Sequence, residues 1–448
     1  MQKFALVVLL ALGCSSPSPG GGEGPGPSGG GSSGKGGSGG GASAGSGGAS
    51  GALGGSGGGQ AGQSGQGGSG GTGGAASGGQ AGSEGGGGAG GAGGTTGGST
   101  GGAAGGDAGP MTEVGSNPPP LTGNAFVYAA GAEFGGSSLT TFKFDLGTGA
   151  LTRMGAGTPG GTGPDYLSIH PGGKFLYVNN ETEAGRVSAF AIAADGTLSK
   201  LNDAGSGGGG PAHLWVHKSG KWVFSANYND GKVGSAPIGD DGKLGTALPG
   251  VAAGGQAHMV LDDGISGNFV FVPCKAAGHV AMFKFDVASG KLTPNSPATV
   301  AVSGGPRHMA VNPSGKWAYV TQEGGTAITT FAYDSTTGLL SAPKNTMAPK
   351  DGAHILVHPS GNFVFHIARG GGAITTYKVG PDGALSMGTS VGGGQFYDAT
   401  MTKDGKYLIS ISGSDVKAYT INPTTGALGN AGSGQAVNGS QSVAVTVL

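Results

Sequence analysis

HMAVNPSGKWAYV, residues 308–320, reads as a polar residue, a short apolar strand, a Pro-Ser-Gly-Lys turn and a second strand that opens on an aromatic. The same reading holds for HLWVHKSGKWVFS at 213–225 and HILVHPSGNFVFH at 354–366. Each unit continues with an alternating strand such as ITTFAY (328–333) and closes on a turn such as TGLL (337–340). The opening aromatic recurs at Phe126, Phe175, Trp222, Phe269, Trp317, Phe363 and Tyr407, at spacings of 49, 47, 47, 48, 46 and 44 residues. Four short strands with their turns fill about 45 residues, the length of one propeller blade. Alternation of period two supports strands throughout, and no segment sustains a helical period. The expectation is therefore an all-β, seven-bladed β-propeller over 124–448. Its first unit lacks an opening strand. The strand SVAVTV at 442–447 has no hairpin partner of its own, so it is expected to complete the first blade and close the ring.

Outside the repeat the chain is of another kind. The protein has 448 residues, 108 of them Gly, and nearly half of the glycine is concentrated between Gly20 and Gly123. That block has almost no aromatic, branched or charged side chains and cannot bury enough apolar area to offset the entropy of ordering it. It reads as a disordered Gly/Ser/Ala-rich tether over 14–123, with an r.m.s. span of roughly 50–60 Å. Glycine motifs inside it, such as GGSGG at 36–40, lack the strand–turn–helix setting that a nucleophile elbow needs. Before the tether, Lys3, the apolar run Phe4–Leu12 and Gly13-Cys14 describe a signal peptide over 1–13. The ALGC end resembles a bacterial lipobox, which implies cleavage before Cys14 and lipid on its sulfur. The expected localisation is an exported lipoprotein anchored in a bacterial cell envelope.

Formal net charge is −1 and no basic run exists, so nucleic acid is not an expected partner. Two cysteines, Cys14 and Cys274, make no disulfide framework, and no zinc-type spacing occurs. No metal and no cofactor are expected. Trp215, Trp222 and Trp317 are expected to pack rather than to bind. His170, His217 and His358 precede turn residues and are expected to be exposed or to cap the turns.

Registration of the units gives two columns. Just before the opening strand stand Tyr166, His213, His258, His308, His354, Asp398 and Gln441. Six residues after the recurring aromatic stand Ala132, Glu181, Tyr228, Lys275, Glu323, Arg369 and Gly413. The start of one antiparallel strand lies beside the end of the next, so both columns belong to one mouth of the ring. A His at such a position can simply bond the next blade. The second column changes residue type from unit to unit, which points to a ligand surface. Mixed acids, bases and imidazoles in one cleft suit acid/base and oxyanion chemistry.

GGPRHM (304–309) with Glu323 resembles the seven-bladed 6-phosphogluconolactonase family, which also contains muconate-lactonizing enzymes. PAH (211–213), ANY (226–228), AH (257–258) and ARG (368–370) match as well, and FLYVNN and WAYVTQ resemble the YVTN type of surface propeller. The resemblance covers nearly all of 124–448. It implies a cofactor-free hydrolase of a sugar-derived or carboxylated lactone. It assigns the catalytic positions to His258, Arg307, Glu323 and Arg369. Arg307 and Arg369 would clamp an anionic group, and His258 or Glu323 would activate water. His213, Tyr228, Lys275, His308, His354 and Glu181 are the expected substrate-binding residues. The sequence departs from the family at Phe396-Tyr397-Asp398, where relatives often carry Pro-Arg-His. A monomer acting on a small lactone or anionic sugar derivative is expected. The alternative is a non-catalytic surface lipoprotein whose mouth binds a ligand or a protein.

Overall fold

The computed structural model describes residues 118–131, 137–412, 414–437 and 439–448. The signal peptide, Cys14, nearly all of the tether, Ala132 and Gly413 lie outside the described residues.

The described residues form seven antiparallel sheets, each walked strand by strand in chain order. The blade that carries residues 306–347 is typical. Pro306–Val311 pairs with Trp317–Gln322, which pairs with Ala327–Asp334, which pairs with Leu339–Met347. The exception is the first blade, whose innermost strand is Ser442–Val447. It pairs with Ala125–Ala130 over six residues, Ala130 facing Ser442 and Ala125 facing Val447. The ring is therefore closed by a strand from the far end of the repeat, as its unpaired pattern implied. Closure pairs the inner edge of Ala125–Ala130, so the first blade has its four strands.

The recurring aromatic and the closing Gly turn are two halves of one joint. Phe126 packs on Gly196, Phe175 on Gly242, Trp222 on Gly290, Phe269 on Gly338, Trp317 on Gly383 and Phe363 on Gly426. Tyr407 of the seventh blade packs on Gly149 of the first, completing the circuit. A Cβ at any of these glycines would lie 2.1–2.7 Å from a ring atom of the aromatic. Gly338 also has φ near +71°, a conformation that costs an L side chain about 1–2 kcal/mol. The Trp222 and Trp317 rings are thus packing elements, as expected.

Gly338→Ala should cost about 3 kcal/mol or more, from backbone strain plus the clash with Phe269. Gly155 has φ near +59° and open space where its Cβ would stand, so Gly155→Ala should cost only the strain. Thermal melts of the two variants check this. Equal shifts would show that the Phe269 contact carries no weight.

A second joint lies at the same end of the blades, in the turns between the innermost and second strands, where His217 N donates to the Trp222 carbonyl and His358 N to the Phe363 carbonyl. His217 Nδ1 accepts from Ser219 N at 3.1 Å, and its Nε2 lies 2.8 Å from the Gly267 carbonyl in the next blade. His358 does the same with Ser360 N and the Gly405 carbonyl. His170 reaches the Gly220 carbonyl, and Asn312 Nδ2 donates to the Gly361 carbonyl. Of the two alternatives it is capping that holds, and His217 and His358 are buried between blades.

Candidate active site

The two columns meet at one mouth, with a correction of register. Tyr166, His213, His308, His354 and Asp398 lie inside the opening strands rather than just before them. Those strands are Pro164–Ile169, Pro211–Val216, Pro306–Val311, Gly352–Val357 and Phe396–Met401. Each begins with a β-bulge. Pro306 faces Gln322 but Met309 already faces Val320, so Arg307 and His308 share the space of one residue. A bulge re-aims the side chains it carries. Here it lets two consecutive residues, Arg307 and His308, both serve the mouth. His258 belongs to no strand: Ala257 bridges to Cys274, and His258 N donates to the Pro273 carbonyl.

The second column lies directly after the second strands. Gly304 and Gly305, both at positive φ, carry the chain around Glu323. Gly305 O accepts from Glu323 N at 2.9 Å and Gly304 O accepts from Gly324 N at 2.8 Å. A side chain at Gly304 would run into Gln322. The double glycine thus brings Arg307 against the Glu323 carboxylate.

Glu323 collects three cations. Arg307 Nη1 donates to Oε1 at 2.9 Å, Arg369 Nη2 donates to the same oxygen, and Lys275 Nζ sits 2.7 Å from Oε2. Burial alone would raise the Glu323 pKa, but Arg307, Arg369 and Lys275 outweigh it and hold the carboxyl at about 2. Glu323 is therefore an ionised anchor at neutral pH. Arg307 is itself 7% exposed, and burial together with Arg369 lowers its pKa. Tyr228 flanks this group. Its phenol is raised by burial and by the charge of Glu323, partly offset by Arg307, and the charge of Glu181 reaches it too.

Beneath the cations lies a cluster of buried imidazoles. His308 is the hub, with ring centroids 5.4 Å from His213, 5.4 Å from His258 and 4.9 Å from His354. Tyr166 stacks on His213 at 3.9 Å, and Tyr228 meets His258 edge-on at 5.6 Å. Burial, then the charges of His354 and Arg307, hold His213 and His308 well below the ordinary imidazole pKa. Burial lowers His354 as well, against the pull of Asp398. These imidazoles are neutral at pH 7. Tyr166 and His354 also line a cavity of about 600 Å³ below the cluster. It runs past Trp215, Met259 and Met309 to the turns that carry Lys218 and Lys403. Among the described residues no group of three or more His, Cys, Asp or Glu side chains is arranged to hold a metal ion.

The structure thus gathers His213, Tyr228, His258, Lys275, Arg307, His308, Glu323, His354 and Arg369 at one mouth, with Glu181 at its margin. Two residues of the same column gain a place beside them. Tyr166 and Asp398 join the cluster, the Tyr166 hydroxyl donating to Asp398 Oδ1 at 3.2 Å. Both stood in the register of the repeat, which is the signal that marks them.

The family model of the 7-bladed β-propeller Lactonase matches residues 126–445, which takes in all seven blades. The chain belongs to the Lactonase family. Within that family it resembles the 6-phosphogluconolactonase of Erwinia tasmaniensis, at 31% identity over 178 residues, 39% of this chain and 52% of the relative. The 6-phosphogluconolactonase of Yersinia enterocolitica is also 31% identical, over 179 residues and the same shares. The chain spans about half the length of the curated relatives it matches. Solved structures share the fold over the whole propeller. A Bacteroides fragilis protein superposes with a TM-score of 0.66 at 23% identity, over 74% of this chain and 100% of its own. The Pseudomonas aeruginosa periplasmic gluconolactonase gives 0.65 at 20% identity, over 73% and 99%.

Proposed function

We propose that this Lactonase-family propeller is an exported hydrolase that opens a sugar-derived or carboxylated lactone at the mouth bearing His258, Arg307, Glu323 and Arg369. The observation that carries the reading is the juxtaposition of three cations on one ionised carboxylate with a cluster of neutral imidazoles. Lactone opening needs a group to take a proton from water and donors to receive the charge that develops on the carbonyl oxygen.

Glu323, ionised down to about pH 2, is a poor proton acceptor at neutral pH. The base in this reading is His258. It takes a proton from water as the water oxygen bonds to the lactone carbonyl, and the carbonyl electrons move onto oxygen. Arg307 and Arg369 receive that oxyanion or hold the carboxylate or phosphate of the substrate. Collapse breaks the bond to the ring oxygen, which takes the proton from His258 and leaves as a hydroxyl. The product acid then ionises, so one proton is released per turnover at neutral pH. Glu323 keeps the two guanidiniums and Lys275 together when no substrate is bound. His213, Tyr228, Lys275, His308, His354 and Glu181 shape the rest of the site.

The names of the relatives support a lactone as the substrate class. The N-terminal pattern of 1–13 supports export, and Cys14 is the residue proposed to carry lipid and hold the propeller at a membrane. Proton release should be followed with the full chain on δ- and γ-lactones of sugar acids, phosphorylated and plain. Hydrolysis above the spontaneous rate on one of them is the expected result. No turnover on any, by a cooperatively folded protein, would favour a propeller that only binds.

A further inference from the structure

Asp398 has more partners than closing a ring requires. Its Oδ2 accepts from Ser442 Oγ at 2.9 Å and from Val443 N at 3.0 Å, which ties the seventh blade to the closing strand. Its Oδ1 faces inward instead. There it accepts from the Tyr166 hydroxyl at 3.2 Å and lies 3.4 Å from His354 Nδ1. The same His354 nitrogen lies 2.6 Å from Nδ1 of His308.

Two imidazole nitrogens at that distance share one proton, because two lone pairs or two N–H groups would repel. Which ring holds it is a matter of surroundings. If His308 held it, His354 Nδ1 would present a lone pair to a carboxylate oxygen. If His354 holds it, the N–H points at one acceptor nitrogen and lies close to one acceptor oxygen. The second arrangement has no repulsive contact. A neutral imidazole carries one N–H, so a His308 that accepts at Nδ1 must carry its own proton on Nε2. The charged and titratable groups facing His308 are His354, Arg307, His213 and His258, with Tyr166 edge-on at 6.1 Å between ring centroids. Those facing His354 are Asp398 and Arg307, with His308 and His213 beside it.

We infer that Asp398 is a positioning residue of the site: it fixes the shared proton on His354 and so holds His308 as the Nε2–H tautomer, a hydrogen-bond donor. His308 then serves the reaction as a donor, and the acceptor's part falls to His258. The kinetic side of this inference rests on the lactonase reading, and the tautomer does not.

Histidine side-chain ¹⁵N NMR on the full chain tests it, with His308 assigned by its loss in His308→Asn. The expected spectrum has His308 as the neutral Nε2–H form. Asp398→Asn keeps an oxygen for Ser442 and Val443 but removes the charge and offers an N–H to His354. His308 should then move to the Nδ1–H form. With a lactone that is turned over, kcat should fall at least tenfold while KM changes less than threefold. His308 in the Nδ1–H form in the parent, or one tautomer in both proteins, would overturn the inference. If Asp398→Asn does not fold, the parent spectrum alone decides. If no lactone is turned over, the tautomers still decide, and only the functional reading fails.

Discussion

A chain ending at Gln441 will not hold the folded ring. Residues 442–448 supply the innermost strand of the first blade, paired along all of Ala125–Ala130. Ser442, Val443, Ala444 and Thr446 are buried. Full burial of a Val side chain contributes roughly 1.5–3 kcal/mol; Val443 is buried and Val445 and Val447 are half-buried, so the three together account for about 3–6 kcal/mol. That is a large part of the whole stability of an ordinary domain, about 5–15 kcal/mol. Truncation also removes both partners of Asp398 Oδ2 and exposes the edge of Ala125–Ala130 to pairing with other chains. The expected outcome is an insoluble or non-cooperative protein by calorimetry and size exclusion. A truncated chain that melts cooperatively within about 5 °C of the parent would show that closure contributes little.

Glu323→Gln will weaken the fold and disable the mouth together. The substitution keeps the shape but leaves Arg307, Arg369 and Lys275 facing one another without their shared anion. Breaking a buried ion pair on one side costs about 3–5 kcal/mol. Because the folded-state pKa of Glu323 lies below its ordinary value, its stabilisation is present in full above about pH 4.5 and is lost as pH falls toward about 2. The shift corresponds to about 3 kcal/mol. Urea melts should therefore show a gap of that size between parent and Glu323→Gln at pH 7. The gap should close as pH falls from 4.5 toward 2. A gap that does not change with pH would mean the carboxylate is not held by its cations. Lactone turnover by the variant should fall at least about 100-fold, because the two guanidiniums lose the anchor that aims them.

Much of this was legible because the repeat converts sequence into space. Equal positions in neighbouring units are neighbours across blades. His308 and His354 are 46 residues apart and in contact, as are Glu323 and Arg369. Registration alone therefore named the mouth and most of its side chains. The β-bulges were not legible, because they depend on the strand pairing and leave no mark in composition. They move Tyr166, His213, His308, His354 and Asp398 into their strands and bring Arg307 to the mouth beside His308. The burial of His217 and His358 was missed because their turns look polar. The neighbouring blade covers them, and the glycines that receive their Nε2 atoms lie 50 and 47 residues away. Asp398 looked like a departure from the family pattern. Its meaning depends on partners from three other blades, Tyr166, His354 and the Ser442–Val443 pair. The joint between each aromatic and the next closing Gly explains the two strongest marks of the repeat by a single contact.

Lactone chemistry is proposed to take place where Arg307 meets Glu323. The most direct measurement compares the initial rate of proton release by the full chain with that of Arg307→Ala, on a lactone the parent hydrolyses. Melting of both proteins is recorded alongside. A loss of at least about 100-fold is expected in a variant that still melts cooperatively. A folded Arg307→Ala protein as active as its parent would contradict that placement.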